Sequence, residues 1–316
     1  MCNKTLAIVI PAYKIDFFEY TLKSLANQTC KDFILYIGDD NSSSDFKSLV
    51  SKYESQIEIV YDRFEDNLGG KDLVGQWERC IALTRGEPWI CLFSDDDVLG
   101  ERFVESFLNE VKHSNSKYDI YHFNVRVIDS KGEIIKNTRK YPIVIDSWSF
   151  YKEKASAKLD SFVVEYIFSR SIYESVGGFE KFDMAWGSDI ATWIKMGAKS
   201  GIKTISGEYV YWRQSEKNIT PNHSNEMVLK KINTEIQFQK WVSDFFGTTE
   251  AYRFNKYAFF RSYFFYSLNM NWQQAKNVVN AAVSSGNIGD ALGQVIKLFF
   301  PVVRMAKYCK SKVEKS

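Results

Sequence analysis

The feature that most constrains the fold of this chain is a set of polar motifs that directly follow short apolar runs. Three such runs lead into the motifs Pro11-Ala12-Tyr13, Gly38-Asp39-Asp40-Asn41-Ser42 and Ser94-Asp95-Asp96-Asp97. Short continuous apolar runs are typical of strands that are buried on both faces of a sheet. Because ligands bind at the carboxyl ends of the strands in open α/β sheets, the pattern predicts a polar binding site at that edge.

Strands and helices alternate over the first third of the chain. Apolar residues recur at helical spacing after Asp16, a predicted N-cap, and again around Trp77 and over Glu101–Val111. Such alternation predicts an α/β fold, with a mostly parallel central sheet that helices flank on both faces. The predicted strands are Leu6–Ile10, Phe33–Ile37, Ile57–Tyr61 and Trp89–Phe93.

The later sequence changes in character. Longer β-rich segments over Ile120–Ile128 and Ile134–Ile145 indicate an inserted or antiparallel portion. A short helix is expected over Asp189–Met196 and a strand over Val210–Trp212, and the chain is largely helical beyond Pro221. We expect a domain over 1–220, with halves 1–115 and 116–220, and a helical C-terminal region over 221–316 that ends in a basic tail. The sequence leaves the oligomeric state open.

Composition excludes several classes of protein. The apolar share of 45% is typical of a globular chain, and a formal net charge of +2 argues against nucleic acid as a partner. The five cysteines lie far apart, so neither a zinc site nor a disulfide framework is indicated. The N-terminal apolar run is too short for a signal peptide, and no apolar stretch is long enough for a spanning helix. We therefore expect a cytoplasmic protein, at the inner face of the cell membrane if its tail binds lipid.

Taken in order along the chain, the motifs resemble those of family 2 glycosyltransferases. Each motif alone is weak, but their order and spacing are specific, and the resemblance covers roughly residues 5–220. It implies a GT-A fold, which binds nucleotide-sugars. The motifs are Ile10-Pro11-Ala12-Tyr13, Ser24-Leu25-Ala26-Asn27-Gln28-Thr29, Gly38-Asp39-Asp40-Asn41-Ser42, Asn67-Leu68-Gly69-Gly70, Ser94-Asp95-Asp96-Asp97, and Gly177-Gly178-Phe179 followed by Trp186-Gly187-Ser188-Asp189.

The resemblance implies a nucleotide site around Asp40. This carboxylate would accept the N3–H of a uracil ring, a choice that selects uracil over cytosine because N3 of cytosine has no hydrogen. Pro11, Ala12 and Tyr13 would line the base pocket through backbone and ring contacts. The alternatives are an N-cap or an Asx turn at Asp40, before Ser42-Ser43-Ser44, and a plain core position for Tyr13.

The Asn67-Leu68-Gly69-Gly70-Lys71 segment joins a predicted strand to a helix. Its two glycines allow the backbone to approach a ligand closely, and the helix N-terminus that follows favours phosphate or sugar oxygens. Asn67, Gly70 and Lys71 are therefore predicted to contact the nucleotide. An ordinary turn before a helix is the alternative interpretation, and the spacing does not match a Walker loop.

The Asp95-Asp96-Asp97 run indicates a divalent cation, Mg²⁺ or Mn²⁺. Hard cations prefer carboxylate and phosphate oxygens, and few protein ligands are needed when a diphosphate supplies the others. Three adjacent carboxylates also repel one another, and a bound cation offsets that repulsion. The family pattern is Asp-x-Asp-Asp, and here Ser94 stands at its first position. Asp96 is then the predicted direct ligand, Asp95 lies near the ribose or metal, and Asp97 is a ligand through water or a helix cap.

Asp189 stands where the family has its catalytic base, although Ser188 replaces the usual Glu before it. A sugar hydroxyl is a poor nucleophile, and a positioned carboxylate can remove its proton as the new bond forms. The alternative is an N-cap for the helix that follows. Trp186 is predicted to form an apolar platform for the acceptor sugar, with simple packing as the alternative.

Tyr211-Trp212-Arg213-Gln214-Ser215 resembles the late strand from which the family often supplies an Arg and a His. Arg213 is predicted to reach the diphosphate bidentately. The His is absent, which leaves the third metal ligand undefined. His223 is interpreted as an exposed loop histidine.

The C-terminal region is aromatic over Tyr257–Leu268 and apolar over Val295–Val303, and the basic residues Arg304, Lys307, Lys310, Lys312 and Lys315 follow. A basic amphipathic end suits peripheral contact with an anionic membrane. The alternative is a set of helices packed on the catalytic domain, with a solvated tail.

Together these expectations describe an inverting, metal-dependent glycosyltransferase that moves a hexose or N-acetylhexosamine from a UDP-sugar to a hydroxyl of a growing glycan. The glycan would be a surface polysaccharide or a lipid-linked oligosaccharide. One rival is a sugar nucleotidyltransferase, which would need a Gly-rich basic loop where Pro11-Ala12-Tyr13-Lys14 stands. The other is a non-catalytic nucleotide- or glycan-binding relative, which the Ser94 and Ser188 replacements suggest.

Overall fold

The computed structural model describes residues 4–215 and 224–313 of the chain. The chain divides into two compact units, the first formed by Met1–Ala185 with Thr192–Ser215 and the second by Trp186–Ala191 with Glu216–Ser316. His223 and Lys315 lie outside the described residues.

The first unit contains a mixed sheet, which comprises ten strands within the described ranges. Its hydrogen-bonded order is β3-β2-β1-β4-β9-β6-β10-β5, with β7 paired to β6 and β8 paired to β10. The strands are β1 Leu6–Ala12, β2 Phe33–Asp39, β3 Ile59–Arg63, β4 Trp89–Leu92, β5 Val98–Leu99, β6 Ile120–Ile128, β7 Ile134–Asn137, β8 Val144–Ile145, β9 Tyr166–Ser169 and β10 Ile202–Arg213.

The four strands predicted from the first third of the chain form the parallel part of the sheet. β1 lies between β2 and β4 and is parallel to both, with Leu6 opposite Phe33 on one side and Trp89 on the other. The carboxyl ends of these strands therefore reach the same edge, as expected. Beyond β4 the sheet is mixed. β9 is antiparallel to both β4 and β6, so β6 and its parallel neighbour β10 run in the same direction as β4.

Helices follow most of the strands of the first unit. They are α1 Phe18–Ala26, α2 Phe46–Ser51, α3 Leu73–Ile81, α4 Phe103–His113, α5 Ser147–Ala155, α6 Arg170–Ser175 and α7 Ser188–Met196, with a 3₁₀ turn over Asp183–Ala185. The predicted N-cap at Asp16 is wrong, because α1 is capped at Phe17 without a side-chain hydrogen bond. Asp72 does cap α3, where its carboxylate accepts a hydrogen bond from the Gly75 N–H.

The core of the first unit lies where the parallel strands meet the helices. Ile8, Leu35 and Cys91 on adjacent strands are fully buried, and Phe18 of α1 and Phe107 of α4 are buried in the same cluster. The apolar runs are continuous because residues on both faces of these strands are covered. This packing holds the carboxyl ends of β1, β2 and β4 in a fixed relation.

The second unit is helical in its described part. Its helices are α8 Asn225–Phe246, α9 Thr249–Tyr266, α10 Trp272–Ser284 and α11 Asp290–Val313, with a 3₁₀ turn over Ser267–Asn269. Gly247 ends α8 in the left-handed conformation at φ 61°, and Asn271 with Gln274 forms a capping box at the start of α10. These elements confirm the expected C-terminal helices. No helix in the described ranges has both the length and the apolar character to cross a membrane.

Candidate active site

The acidic run Asp95-Asp96-Asp97 follows β4 at the carboxyl edge of the parallel strands. The three residues are 5%, 6% and 1% exposed, so the run is a buried acidic segment rather than a solvated loop. Burial of three adjacent carboxylates is unfavourable unless hydrogen bonds or cations offset their charge. The contacts of each carboxylate therefore indicate what the site is built to hold.

Asp95 joins the end of β4 to the segment that follows β1. Its Oδ2 accepts hydrogen bonds from the backbone N–H groups of Tyr13 at 2.7 Å and Lys14 at 2.6 Å. Burial, and then the charge of Asp96, raise the pKa of Asp95 to about 6, although the two backbone hydrogen bonds act in the opposite direction. Asp95 thus fixes the Pro11-Ala12-Tyr13 backbone against the acidic segment.

Ser94 and Lys14 contact the other two carboxylates. Ser94 Oγ lies 3.0 Å from Asp96 Oδ1 and 2.5 Å from Asp97 Oδ2, and Lys14 Nζ lies 3.5 Å from Asp96 Oδ2. Burial, and then the charge of Asp96, raise the pKa of Asp97 well above its usual value. The serine at the first acidic position of the family pattern therefore lies within hydrogen-bond distance of both Asp96 and Asp97.

Arg213 lies at the end of β10 and is 2% exposed. Its backbone N–H donates to Asp97 Oδ1 at 2.6 Å, its Nε donates to the Asp96 carbonyl at 2.8 Å, and its Nη1 donates to the Asp129 carbonyl at 2.7 Å. The guanidinium also lies 4.5 Å from the centre of the Phe17 ring. The first two hydrogen bonds hold the backbone and a carboxylate of the acidic segment in place. The predicted contact of Arg213 with the diphosphate stays a prediction.

Asp40 holds the glycine-rich segment predicted to contact the nucleotide. Its carboxylate accepts hydrogen bonds from Leu68 N at 2.8 Å, Gly69 N at 2.9 Å and Arg79 Nη2 at 2.6 Å. A Cβ added at Gly69 would lie 2.7 Å from Asp40 Oδ2, so only glycine fits there. Because these partners lie 28, 29 and 39 positions away in the sequence, the Asp40 carboxylate makes long-range contacts rather than the local Asx turn. A carboxylate has about four acceptor positions, and three of those of Asp40 are occupied by these donors.

The remaining predicted nucleotide contacts lie around Asp40 and β1. Asn67 donates from Nδ2 to the Asp40 carbonyl at 3.1 Å and accepts from Gly70 N at 3.1 Å, while Lys71 is exposed. Tyr13 is 53% exposed, so the alternative of a plain core position is wrong. Ala12 is fully buried, which leaves only its backbone for a ligand. Pro11, on the same strand, is half-buried.

The acidic segment fits a cation that a diphosphate helps to hold. Within the described ranges, no group of three His, Cys, Asp or Glu side chains has the geometry of a complete metal site. Mg²⁺ in phosphate-transferring sites binds through one or two carboxylates and takes its other ligands from phosphate and water. Asp96 and Asp97, buried and mutually repelling, match that partial donor set.

Asp189 lies in the first turn of α7 and belongs to the second compact unit. It is the second residue of the helix, so it is not the N-cap that the alternative required. The segment before it is strained, because Met184 and Ala185 have φ values of 55° and 56°, in the left-handed region that non-glycine residues rarely adopt. Backbone strain of this kind occurs often at functional sites.

Trp186 belongs to the same unit and lies against α8. The Nζ atom of Lys231 is 4.8 Å from the centre of the Trp186 ring, and Lys231 is fully buried. Burial lowers the pKa of this lysine. No sequence motif indicates that Lys231 is buried beside Trp186, because the sequence of α8 has the pattern of an ordinary helix.

Sequence reasoning also missed Lys14 and Arg79, which contact Asp96 and Asp40. Both partners are distant in sequence, 82 positions apart in one pair and 39 in the other. Arg79 additionally binds Asp66 at 2.8 Å and lies 3.9 Å from the centre of the Phe64 ring. Its only local signal is a basic side chain in the last turn of α3, which is common at helix ends.

Known proteins resemble the chain in sequence and in fold. Residues 7–173 match the family model described as Glycosyl transferase family 2. A Campylobacter jejuni protein, GalNAc(5)-diNAcBac-PP-undecaprenol beta-1,3-glucosyltransferase, is 24% identical over 60% of this chain and 59% of its own length. The chain spans between half and two thirds of the lengths of this and another curated relative.

Solved structures share the fold at lower sequence identity. S. aureus TarS 1–349 in complex with UDP has a TM-score of 0.60 at 12% identity, covering 96% of this chain and 88% of that one. GalNAc-T7 with UDP, GalNAc and Mn²⁺ has a TM-score of 0.50 at 11% identity, covering 73% and 47%. These similarities show a GT-A-type fold, as the sequence predicted. Since the family model covers more than half of the chain, the protein belongs to glycosyltransferase family 2.

Proposed function

We propose that this chain is an inverting, metal-dependent glycosyltransferase that uses a UDP-sugar and a hydroxyl of a growing glycan. The observation that carries the proposal is the buried acidic segment Asp95–Asp97 at the carboxyl edge of β1, β2 and β4. Support for the donor class comes from the fold, which the chain shares with a TarS structure in complex with UDP. The acceptor class is supported by the C. jejuni relative, whose name describes a lipid-linked glycan.

On the donor side, Asp96 and Asp97 would hold Mg²⁺ or Mn²⁺ together with the diphosphate. The bound cation supplies electrostatic stabilisation of the charge that develops on the departing UDP. Asp95 positions the backbone of Tyr13 and Lys14, and Arg213 holds the carbonyl of Asp96. Lys14 neutralises part of the acidic charge and is near enough to Asp96 to contact a bound phosphate.

For the nucleotide base, Asp40 keeps one acceptor position beyond its three internal hydrogen bonds, and a uracil N3–H would fill it. The exposed ring of Tyr13 and the backbone of Pro11 and Ala12 complete the proposed pocket, with Asn67, Gly70 and Lys71 on its other side. We propose that Arg213 acts mainly by positioning the acidic segment, because its Nε and Nη1 already donate to backbone carbonyls.

On the acceptor side, Asp189 would remove the proton of the attacking hydroxyl. It lies in the first turn of α7, four residues after the strained segment Met184–Ala185. In-line attack would invert the anomeric centre without a covalent intermediate, so no second carboxylate need act as a nucleophile. Trp186 would present its ring to the acceptor sugar.

The test is a donor panel in two steps. Purified protein is first scanned by thermal shift with UDP-hexoses and UDP-N-acetylhexosamines, with Mn²⁺ and with EDTA, since a ligand bound to the native state raises the unfolding temperature. Transfer or donor hydrolysis is then measured for the wild type and for Asp96→Asn and Asp189→Asn. Asp244→Asn is the matched control, because Asp244 is an exposed member of a surface ion pair on α8.

The proposal expects both site variants to lose at least about a hundredfold in rate while they remain folded, and the control to retain full rate. Full activity in Asp189→Asn would contradict its assignment as the base. Metal-dependent donor binding with no transfer or hydrolysis would instead support a non-catalytic relative. Formation of a UDP-sugar from UTP and a sugar phosphate would point to a nucleotidyltransferase.

A further inference from the structure

Helix α11 has a second apolar face that none of the residues in the described ranges covers. One face contributes Ile296 and Phe300, both nearly fully buried, to the core of the helical unit. The Phe300 ring lies 6.0 Å from that of Tyr263 on α9 and 5.6 Å from that of Trp272 on α10. The other face is exposed, with exposed fractions from 40% to 75%, and consists of Leu292, Val295, Leu298, Phe299, Val302 and Met305.

The spacing of these six residues places them on one side of the helix. At about 100° per residue they fall within an arc of about 140°, away from the arc that contains Ile296 and Phe300. An ordinary surface helix has one apolar stripe, which faces the core. A second contiguous stripe of large side chains marks an interaction surface rather than scattered surface hydrophobics.

Helix α9, which packs against α11, has a similar exposed surface. Tyr257 and Phe260 are 51% and 45% exposed, and Arg253 and Lys256 are exposed on the same helix. Trp272 at the start of α10 is partly exposed, with the Lys276 Nζ atom 4.8 Å from the centre of its ring. Aromatic rings next to basic side chains are typical of helices that lie at a membrane interface.

The charge of the chain identifies the partner. From position 297 onward the sequence contains six Lys and Arg residues and a single acidic residue, Glu314. A second copy of the chain seated on this face would bring two strongly positive segments together, which is unfavourable. An anionic lipid surface offers the opposite charge at its headgroups and an apolar layer directly beneath them.

We infer that the exposed face of α11, defined as Leu292, Val295, Leu298, Phe299, Val302 and Met305, docks on an anionic lipid surface. The six apolar side chains enter the boundary between headgroups and acyl chains, and the basic residues that follow position 304 in the sequence add attraction to the anionic headgroups. The helix lies in the plane of the interface, because its opposite face is fixed in the core of the helical unit. This surface is distinct from the proposed transfer site, and binding here does not depend on the transfer chemistry.

The experiment is vesicle co-sedimentation of the full chain without donor or metal. Vesicles of phosphatidylcholine alone are compared with vesicles that contain phosphatidylglycerol. The expected result is binding to the anionic vesicles, at least about tenfold weaker on neutral ones, and further weakened when the salt concentration is raised. The double variant Leu298→Glu/Phe299→Glu should reduce binding to the anionic vesicles by at least about tenfold.

The matched control is Ile143→Glu, which adds a charge at an apolar residue that is 70% exposed in the first unit. It should bind vesicles as the wild type does, and all variants should keep the wild-type circular dichroism spectrum and UDP affinity. Equal loss in the control variant, or no binding of the wild type to anionic vesicles, would overturn the inference. A different result would also overturn it: light scattering shows that the wild type is an oligomer, and the Leu298→Glu/Phe299→Glu variant is a monomer that still binds vesicles as the wild type does.

Discussion

Two buried carboxylates of the site, Asp40 and Asp95, are balanced in different ways. Asp40 accepts two backbone N–H groups and the Arg79 guanidinium, so its charge is paired within the protein. Asp95 accepts two backbone N–H groups but also faces Asp96, and burial together with that charge raises its pKa. Asp40 is therefore built to hold the glycine-rich segment, whereas the ionised form of the acidic segment is unfavourable unless a cation offsets its charge.

Removal of the Asp40 charge should destabilise the protein. Asp40→Asn leaves Arg79 with Asp66 as its remaining carboxylate partner, and it replaces an acceptor of two backbone N–H groups by an amide that has a single acceptor oxygen. We expect a loss of about 1–3 kcal/mol in the free energy of unfolding, measured by urea denaturation. Asp66→Asn removes the exposed partner of the same arginine and should leave the midpoint close to the wild-type value. Equal urea midpoints for Asp40→Asn and Asp66→Asn would contradict the claim that the Asp40 carboxylate stabilises the fold.

Addition of a methyl group at Gly69 should weaken nucleotide binding more than folding. The new Cβ would lie 2.7 Å from Asp40 Oδ2 and 3.6 Å from Gln76 Cγ, so the segment must move away from Asp40. We expect Gly69→Ala to raise the dissociation constant for UDP by about tenfold in calorimetric titrations. Gly289→Ala, at a position with open space around it, is the control. Wild-type affinity in Gly69→Ala would show that the segment does not contact the nucleotide.

At the scale of secondary structure, the sequence predicts best where the pattern is long and regular. The buried parallel strands and the helices between them follow from continuous apolar runs and helical spacing, and the structure confirms them. β5 and β9 were not predicted, because two- and four-residue strands have too little pattern to detect. β9 pairs with β4 on one side and with β6 on the other, and such pairing depends on the assembled sheet rather than on the local sequence.

The site shows the same division between local and long-range information. Asp95, Asp96 and Asp97 could be singled out because they follow a strand in an unbroken acidic run. The contacts of Asp40 with Arg79 and of Asp96 with Lys14 could not, because they depend on how separate elements pack. The braced position of Arg213 likewise requires the pairing of β10 with β6, which places its guanidinium near the Asp129 carbonyl.

His122 on β6 should make the protein sensitive to acid. It is 1% exposed and stacks on Tyr141 with ring centres 3.8 Å apart, and burial lowers its pKa to about 3. Because the unfolded chain binds this proton near pH 6.5, the stabilising contribution of neutral His122 is complete above that pH. It is lost as the pH falls from about 6.5 toward 3.

The check is the pH dependence of urea unfolding between pH 4 and pH 6. In His122→Gln, the slope of unfolding free energy against pH should be less steep than in the wild type by about 1 kcal/mol per pH unit. An unchanged slope in His122→Gln would mean that the imidazole is not held neutral by burial.

At the start of α7, Gly187 should be intolerant of a side chain. Its φ of 88° lies in the left-handed region, and a Cβ there would lie 3.1 Å from Cγ of Phe238 on α8. Gly187→Ala is expected to destabilise the protein by about 1–3 kcal/mol and to lower the transfer rate if Asp189 is the base, since the start of α7 shifts. Gly132→Ala is the control, because Gly132 also has a positive φ but has open space around it. The loss of stability in this control measures the backbone strain alone, without the contact with Phe238.

At the scale of the whole molecule, the chain combines an α/β unit that contains the acidic segment with a helical unit that contains Trp186, Asp189 and α11. The formal net charge is only +2, although the last twenty residues are strongly basic. The net charge of the whole chain therefore gives little information about its binding partners, whereas the local distribution of charged residues is informative. Acidic side chains lie buried at the carboxyl edge of the sheet, and basic residues are concentrated in the last twenty positions of the sequence.

The most direct test of the account is a calorimetric titration of UDP into the chain, with Mn²⁺ and after its removal with EDTA. We predict that removal of the metal weakens UDP binding by at least about tenfold, and that Asp96→Asn in the presence of Mn²⁺ weakens it to a similar extent. The control Asp244→Asn should bind as the wild type does. Equal affinity with and without Mn²⁺, or undiminished affinity in Asp96→Asn, would contradict the claim that the buried acidic segment holds a metal-bridged diphosphate.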